Sequence, residues 1–317
     1  MALLISGELR QFWYCADSIL NNLVIPNDLD VFVMTGNNKS WAPFDMKEDE
    51  NNPSVMSMSA CRECPEQKIE LNEYEMIRNK MGRFLKGINK SNYIPNYLRE
   101  LEEIRAAASE KYFALQPHGK YPPYLFNILQ YLLVSKGIEL IEDYEVSQGI
   151  KYDYIFKIRP DMLIKEGAVD IMSFIKNPTV PAHLEGDGTD TRYNASIYLP
   201  NPFQRANPRA LKYSCTPNEC VVDGPRSVEC VHDYIFLFKR EVGDLVKNFV
   251  HQYGSLRAKS PLPADPEAMR IVERQWAIHI ENNKEFKPSN LHTWCVLEEM
   301  KKNKYNVKGS AYSLYFY

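Results

Sequence analysis

Long hydrophobic runs are missing from this sequence, and their absence argues against a membrane protein. No apolar stretch reaches the roughly 20 residues that cross a bilayer, and residues 1–5 are too short and lack the basic lead of a secretory signal. The sequence therefore predicts a cytoplasmic protein without a membrane span. An excess of one charge is missing too, since the formal net charge is only -3. Without a basic field, nucleic acid is not an expected partner.

Cysteines are few and odd in number, which argues against a disulfide framework. Seven cysteines in 317 residues fit reduced thiols. Cys61 and Cys64 have the spacing of half a zinc site, but Cys215, Cys220 and Cys230 lack a histidine at the usual interval. Loop thiols are the main interpretation, and a structural zinc site is the alternative.

Two familiar nucleotide-binding motifs are also missing. The chain has neither G-x-G-x-x-G nor the G-x-x-x-x-G-K-[S/T] phosphate loop, which argues against a classical dinucleotide-binding or kinase-type site. What the chain does have is ordinary for a globular protein, at 44% hydrophobic and 25% charged residues. Its length is enough for a sizeable α/β core.

The most informative stretch of the chain is residues 152–162. Residues 154–158 are mainly β-branched or aromatic, which predicts a central strand covered on both faces. Pro160 cannot donate to a neighbouring strand and ends the ladder. Arg159 and Asp161 are therefore expected at the carboxyl end of this strand, where open α/β sheets bind ligands.

The two charged residues at this strand end suit a divalent cation and a diphosphate. Asp161 would supply a hard oxygen ligand to the metal, and Arg159 would face phosphate oxygens. In the alternative interpretation, Arg159 and Asp161 pair with each other or with neighbours at the strand end. The sequence leaves both interpretations open.

Two further apolar strands end in small residues. The first, Ala2–Ser6, stops at Gly7, and the second, at 31–34, ends in Thr35 and Gly36. Small residues let the backbone approach a ligand closely. A helical pattern separates the two strands, so together they form a βαβ unit of the kind that binds nucleotides. The alternative is an ordinary turn that leads into a helix.

Three polar residues outside these strands are further candidates. Arg10 follows the first strand and could reach phosphate from its loop. Asp233, with His232 beside it, precedes an apolar strand at 234–238. Either could be the general base for an acceptor hydroxyl, and the alternative is a strand-capping aspartate with a surface histidine.

The remaining periodicity predicts the other elements. A short helical turn is expected at 171–174, and residues 38–65 have the composition of a long loop or lid. Strands are expected at 180–184 and 196–199. Helices are expected at 70–86, 97–113, 124–144, 242–253 and 265–282, so that the chain would end in helices.

Four segments of the chain carry a family resemblance, namely ISGELRQF at 5–12, DVFV at 30–33, YDYIFKIRPD at 152–161 and HDYIF at 232–236. Taken in order, they resemble a poorly characterised group of GT-A-type glycosyltransferases from bacteria, algae and large DNA viruses. The resemblance implies one GT-A-like domain over 1–317, with a nucleotide-sugar-binding half (1–165) and an acceptor-binding half (166–317). Its fold would be a mostly parallel Rossmann-type α/β sheet flanked by helices.

The function implied by this resemblance is transfer of a sugar from a nucleoside-diphosphate sugar to a glycan, glycoconjugate or other hydroxyl acceptor, assisted by Mn²⁺ or Mg²⁺. The family's D-x-D metal element is reduced here to Arg159 and Asp161, which leaves Asp161 as the expected metal ligand. Arg159 would stabilise the leaving diphosphate and Asp233 would be the base of an inverting enzyme. The residues expected to hold the donor are Ser6, Gly7, Arg10, Thr35, Gly36, Arg159 and Asp161.

Two other functional classes stay open at this point. A nucleotidyltransferase would also combine an α/β sheet with carboxylates and a metal, although it normally needs two or more close carboxylates. A non-catalytic carbohydrate- or protein-binding module would account for the 20 tyrosines.

Overall fold

The computed structural model describes a little over half of the chain. Within this part, no helix combines the length and the apolar character needed to cross a bilayer. The described residues are 1–7, 9, 12–36, 72–91, 123–165, 167–176, 195–199, 235–259, 276, 279–280, 283, 285–286, 288–290, 293–300 and 309–316.

A seven-stranded sheet forms the centre of the fold, in the order β3-β2-β1-β4-β7-β6-β8. Six of these strands run in one direction and β7 runs against its neighbours β4 and β6. A second sheet of three strands has the order β5-β10-β9. The strands are β1 (Ala2–Ser6), β2 (Asp30–Gly36), β3 (Leu85–Ser91), β4 (Tyr154–Ile158), β5 (Met162–Ile164), β6 (Ile197–Leu199), β7 (Ile235–Lys239), β8 (Pro288–Asn290), β9 (Thr293–Met300) and β10 (Gly309–Phe316).

Helices cover both faces of the main sheet. Apolar side chains of α4 and α6 bury one face, and those of α1 and α3 bury the other. A π-helical segment, Leu20–Val24, continues α1. The helices are α1 (Phe12–Ile19), α2 (Ile25–Asn27), α3 (Asn72–Met81), α4 (Pro123–Gln148), α5 (Ile171–Lys176) and α6 (Gly243–Lys259).

The predicted α/β class with a mostly parallel sheet is confirmed. All five residues of β1 are buried, as expected for a strand with helices on both faces. The strands predicted at Ala2–Ser6, 31–34, 154–158 and 196–199 are present, and so are the helices at 124–144 and 242–253. Gly137 lets α4 lie against β1, because a Cβ at this position would overlap the side chain of Leu4.

The helix predicted at 70–86 is wrong at its end. It stops at Met81, and the edge strand β3 follows after one turn of 3-10 helix. Gly87 allows this strand to pack closely, because a Cβ there would lie 2.9 Å from Cδ1 of Phe32. Pairing with β2 and this close packing therefore determine the strand, against a local pattern that is mostly polar.

The expectation that the chain ends in helices is also wrong. The last described elements are the strands β8, β9 and β10, and β9 pairs with β10 along eight residue pairs. Of the helix predicted at 265–282, the structure describes only Trp276, His279 and Ile280, which are helical. The segments predicted at 38–65, 97–113 and 180–184 lie outside the described residues.

His279 is a buried titratable group that should make the stability of the fold depend on pH. It is 0% exposed, and its Nε2 donates a hydrogen bond to the Leu245 carbonyl oxygen at 2.8 Å. Burial lowers the pKa of His279, against the opposing effect of this hydrogen bond. The unfolded chain therefore takes up a proton near pH 6.5 while the folded protein does not, so the free energy of unfolding should fall as the pH drops below 6.5.

We expect His279→Gln to remove this contribution, because glutamine cannot take up the proton. The slope of the unfolding free energy against pH should decrease by up to about 1.4 kcal/mol per pH unit. Denaturant unfolding between about pH 5 and pH 7 measures the slope. His251→Gln, at an exposed position of α6, is the control and should leave the slope unchanged. Equal slopes for wild type and His279→Gln would contradict the prediction.

Candidate functional site

The ends of three parallel strands meet where the strand order of the main sheet changes direction. From β1 the chain continues to β2 on one side, and it later returns to β4 on the other side of β1. Such a switch point leaves a crevice beyond the carboxyl ends of the strands, and open α/β sheets bind their ligands there. Six of the predicted donor-binding residues lie at or directly after these strand ends, namely Ser6, Gly7, Thr35, Gly36, Arg159 and Asp161.

Gly7 brings the loops after β1 and β4 into contact. Its φ is +137°, a conformation that side chains rarely adopt, and a Cβ on it would lie 3.0 Å from Cδ of Pro160. Its backbone N–H also donates to the carbonyl oxygen of Met34 at 3.1 Å, which ties the end of β1 to β2. Glycine is therefore required here by geometry, whether or not a ligand binds.

The other small residues at this edge are buried. Ser6 is 2% exposed, and within the described part of the structure its Oγ has no hydrogen-bond partner. Thr35 is equally buried and its Oγ1 donates a long hydrogen bond of 3.3 Å to the carbonyl oxygen of Gly36. A buried hydroxyl normally has a partner, so Ser6 has capacity to bind a ligand oxygen.

Arg159 and Asp161 form a bidentate ion pair. The guanidinium donates from Nε to Oδ1 at 2.9 Å and from NH2 to Oδ2 at 2.7 Å. Their side chains are 19% and 6% exposed. This two-bond geometry is among the stronger polar contacts in proteins. The mutual pairing that the sequence left open is therefore present, and it occupies both carboxylate oxygens.

The buried thiol of Cys15 on α1 lies near Asp161. Burial and, secondly, the negative charge of Asp161 raise the pKa of Cys15 well above its ordinary value. Cys15 is therefore a protonated, unreactive thiol.

A divalent cation does not fit this arrangement as it stands. Both oxygens of Asp161 accept N–H groups from a positively charged guanidinium, whereas Mg²⁺ and Mn²⁺ need several oxygen ligands. Among the described residues, no three His, Cys, Asp or Glu side chains come together in a way that could hold a metal. A metal on Asp161 would require Arg159 to leave at least one of the oxygens.

Several predicted site residues lie outside the described residues, namely Arg10, His232, Asp233 and five of the cysteines. Their roles stay predictions. Gly36 is described and buried at the end of β2, beside Thr35.

Sequence reasoning missed one polar residue near this edge, Lys157. The sequence did contain an indication of it, because a lysine between Phe156 and Ile158 is unusual in a strand that is covered on both faces.

Comparison with known proteins adds no assignment to this geometry. No family model, curated protein or solved structure matches the chain. The glycosyltransferase resemblance stays a prediction based on sequence motifs.

Proposed function

We propose that this protein is a glycosyltransferase that moves a sugar from a nucleoside-diphosphate sugar to a glycan or other hydroxyl acceptor. The observation that carries the proposal is the position of Arg159, a guanidinium directly after β4 at the switch point of a mostly parallel sheet. Sugar transfer breaks the bond to the diphosphate, and negative charge develops on the leaving group. A positioned guanidinium stabilises that charge.

The end of β1 supports the same ligand. Ser6 offers a buried hydroxyl without a partner in the described structure, and the hydrogen bond from Gly7 N–H to the Met34 carbonyl oxygen fixes the backbone that follows it. A phosphate oxygen is a strong acceptor for such a hydroxyl. Ser6, Gly7 and Arg159 would together face the diphosphate, since β1 and β4 are adjacent strands.

Metal assistance and the acceptor base complete the proposal. Mn²⁺ or Mg²⁺ would bind through Asp161, on the condition that Arg159 turns from this carboxylate to the diphosphate. Asp233 is the proposed general base if the enzyme inverts the sugar configuration, and a retaining enzyme would not need it. The proposed location is cytoplasmic.

A nucleotide-binding screen tests the proposal. The thermal midpoint of the protein would be measured with UDP, GDP, CDP and dTDP, each with Mn²⁺ and with EDTA. A ligand that binds only the folded state stabilises it by about 2.7 kcal/mol at a hundred times its dissociation constant. We expect one diphosphate to raise the midpoint and the corresponding nucleoside monophosphate to raise it less.

The outcomes separate the functional classes. A shift with one diphosphate, followed by hydrolysis of the matching nucleotide sugar, supports a transferase. Free sugars are screened in the same way. If a sugar raises the midpoint and none of the four nucleotides does, the proposal is contradicted and the non-catalytic carbohydrate-binding module is favoured.

A further inference from the structure

The helical segment that follows β1 carries three polar side chains that bind the chain beyond β4. They are Ser18 on α1, Asn22 on the π-helical segment and Asn27 on α2. Serine and asparagine are poor helix formers, because their side chains compete for nearby backbone groups. The three residues therefore cost helix stability, and their contacts outside the helix offset that cost.

Ser18 and Asn22 bind the backbone of Ile164, the last residue of β5. The N–H of Ile164 donates to Ser18 Oγ at 3.0 Å, and Asn22 Nδ2 donates to the Ile164 carbonyl oxygen at 2.9 Å. Both backbone groups of Ile164 are thus satisfied by side chains of the helical segment, as a neighbouring strand would satisfy them. β5 is therefore held by this segment as well as by its partner strand β10.

The same contacts continue beyond β5. The N–H of Val169 donates to the carbonyl oxygen of Asn22 at 2.8 Å. In an α-helix the N–H of residue 26 would donate to this oxygen, but Pro26 has none. Asn27 donates to the carbonyl oxygen of Val169 and accepts the N–H of Ile171 at 3.0 Å. We call Ser18, Asn22 and Asn27 the polar clamp.

The polar clamp joins both loops of the candidate site to one helical segment. Residues 159–161 connect β4 directly to β5, and Ile164 is only three residues after Asp161. The loop after β1 leads into α1 and is therefore joined to the same segment by the chain itself. Strand pairing in the main sheet fixes β4 as far as Ile158. Beyond Ile158, the polar clamp fixes the backbone that follows the Arg159 and Asp161 pair.

We propose that Ser18, Asn22 and Asn27 are positioning residues that hold the turn at 159–161 so that Arg159 faces the diphosphate. This inference rests on the proposed function, and it adds to it three residues that act through Arg159 without touching the ligand. Loosening the polar clamp would move the guanidinium while the main sheet stays paired.

The test is the double variant Ser18→Ala with Asn22→Leu, which removes both hydrogen bonds to Ile164. Alanine and leucine are better helix formers than serine and asparagine, so part of the lost stability should return. Calorimetric titration with UDP, GDP, CDP and dTDP should show affinity about tenfold weaker than wild type, because a hydrogen bond from a charged group to the diphosphate is weakened. Affinity for the free nucleoside should not change.

A second background shows whether the polar clamp acts through Arg159. In Arg159→Gln with Asp161→Asn both charges are already absent, so the clamp variant should weaken diphosphate affinity there by less than about twofold. A general structural defect would weaken affinity equally in both backgrounds. Asp17→Asn is the matched control, because Asp17 is also on α1 but pairs with Lys80 of α3, and it should leave affinity unchanged.

Hydrogen exchange tests the positioning step without a ligand. The backbone amides of residues 159–164 should exchange about tenfold faster in the double variant, while those of β1 and β4 should be unchanged. Ser18→Thr keeps the hydroxyl and should behave as wild type in both measurements. If the double variant does not fold, Asn22→Leu alone replaces it and should weaken diphosphate affinity severalfold.

The possible outcomes distinguish this inference from the proposed function. A wild-type protein that binds none of the four nucleoside diphosphates contradicts the proposed function, and this inference with it. If wild type binds one of them and the clamp variant binds it equally tightly, or if the loss is the same in both backgrounds, only the positioning role is overturned. Unchanged exchange at 159–164 overturns the positioning role as well, whatever the affinities.

Discussion

Replacing Asp161 with alanine is expected to lower the free energy of unfolding by about 3 kcal/mol and to abolish nucleotide-sugar hydrolysis. The stability loss arises because Arg159 would keep its charge and lose both hydrogen bonds to the carboxylate. It lies at the lower end of the range for a broken buried pair, since the Arg159 side chain is still 19% exposed. From the sequence alone, Asp161 would be a metal ligand whose loss leaves the fold intact.

A double variant separates the two effects. Arg159→Gln with Asp161→Asn replaces both charges by neutral groups that can still hydrogen-bond, so most of the stability should return. Hydrolysis of the nucleotide sugar should not return, because both the guanidinium and the carboxylate are gone. Denaturant unfolding and an assay of released nucleoside diphosphate measure the two quantities. Metal-dependent activity at the wild-type level in Asp161→Ala would remove the assignment of this residue.

The predictable part of the fold consists of unbroken apolar runs with clear ends. The strand at 154–158 could be predicted because its residues are apolar apart from Lys157 and because Pro160 ends it. The strand Ala2–Ser6 could be predicted for the same reason, because its residues are mainly apolar and Gly7 follows it. In both cases burial on two faces needs apolar residues at successive positions, and that requirement is visible in sequence.

The unpredicted strands depend on partners that are distant in the chain. The edge strand β3 has the sequence LKGINKS, in which Leu85 and Ile88 are three residues apart and fit a helix as well as a strand. Its strand conformation comes from pairing with β2. Three-residue β5 likewise exists through pairing with β10. Strand propensity depends strongly on such context, and local patterns do not contain it.

The candidate site was predictable in position but not in side-chain arrangement. The ends of β1 and β4 place Ser6, Arg159 and Asp161 near each other, as expected from the topology. Whether Arg159 faces a ligand or Asp161 depends on side-chain torsions, and the same two residues serve both arrangements. The sequence therefore could not predict the bidentate contact between Arg159 and Asp161, which the structure shows.

A second charged cluster lies at the opposite edge of the sheet, near the amino end of β4. Arg240 donates to Glu145 at 3.0 Å and to Glu142 at 2.9 Å, and Lys247 also donates to Glu142, at 2.7 Å. The backbone N–H of Arg240 donates to the carbonyl oxygen of Asp153 at 2.8 Å. The cluster therefore fastens the end of α4 to β4 and to the start of α6.

Arg240→Met should lower the free energy of unfolding by about 3–5 kcal/mol, because it leaves the carboxylate of Glu145 without its counter-charge. The Glu145 side chain is only 7% exposed, and it would retain the backbone N–H of Tyr152 at 2.9 Å. Adding Glu145→Leu to Arg240→Met should restore most of the lost free energy of unfolding. Lys247→Met is the control, and it should lower the free energy of unfolding by about 1 kcal/mol, because its partner Glu142 is 25% exposed. Nucleotide affinity should be unchanged, because the cluster is at the far edge of the sheet. If denaturant unfolding shows equal losses for Arg240→Met and Lys247→Met, solvent screens the whole cluster and the buried-charge argument is wrong.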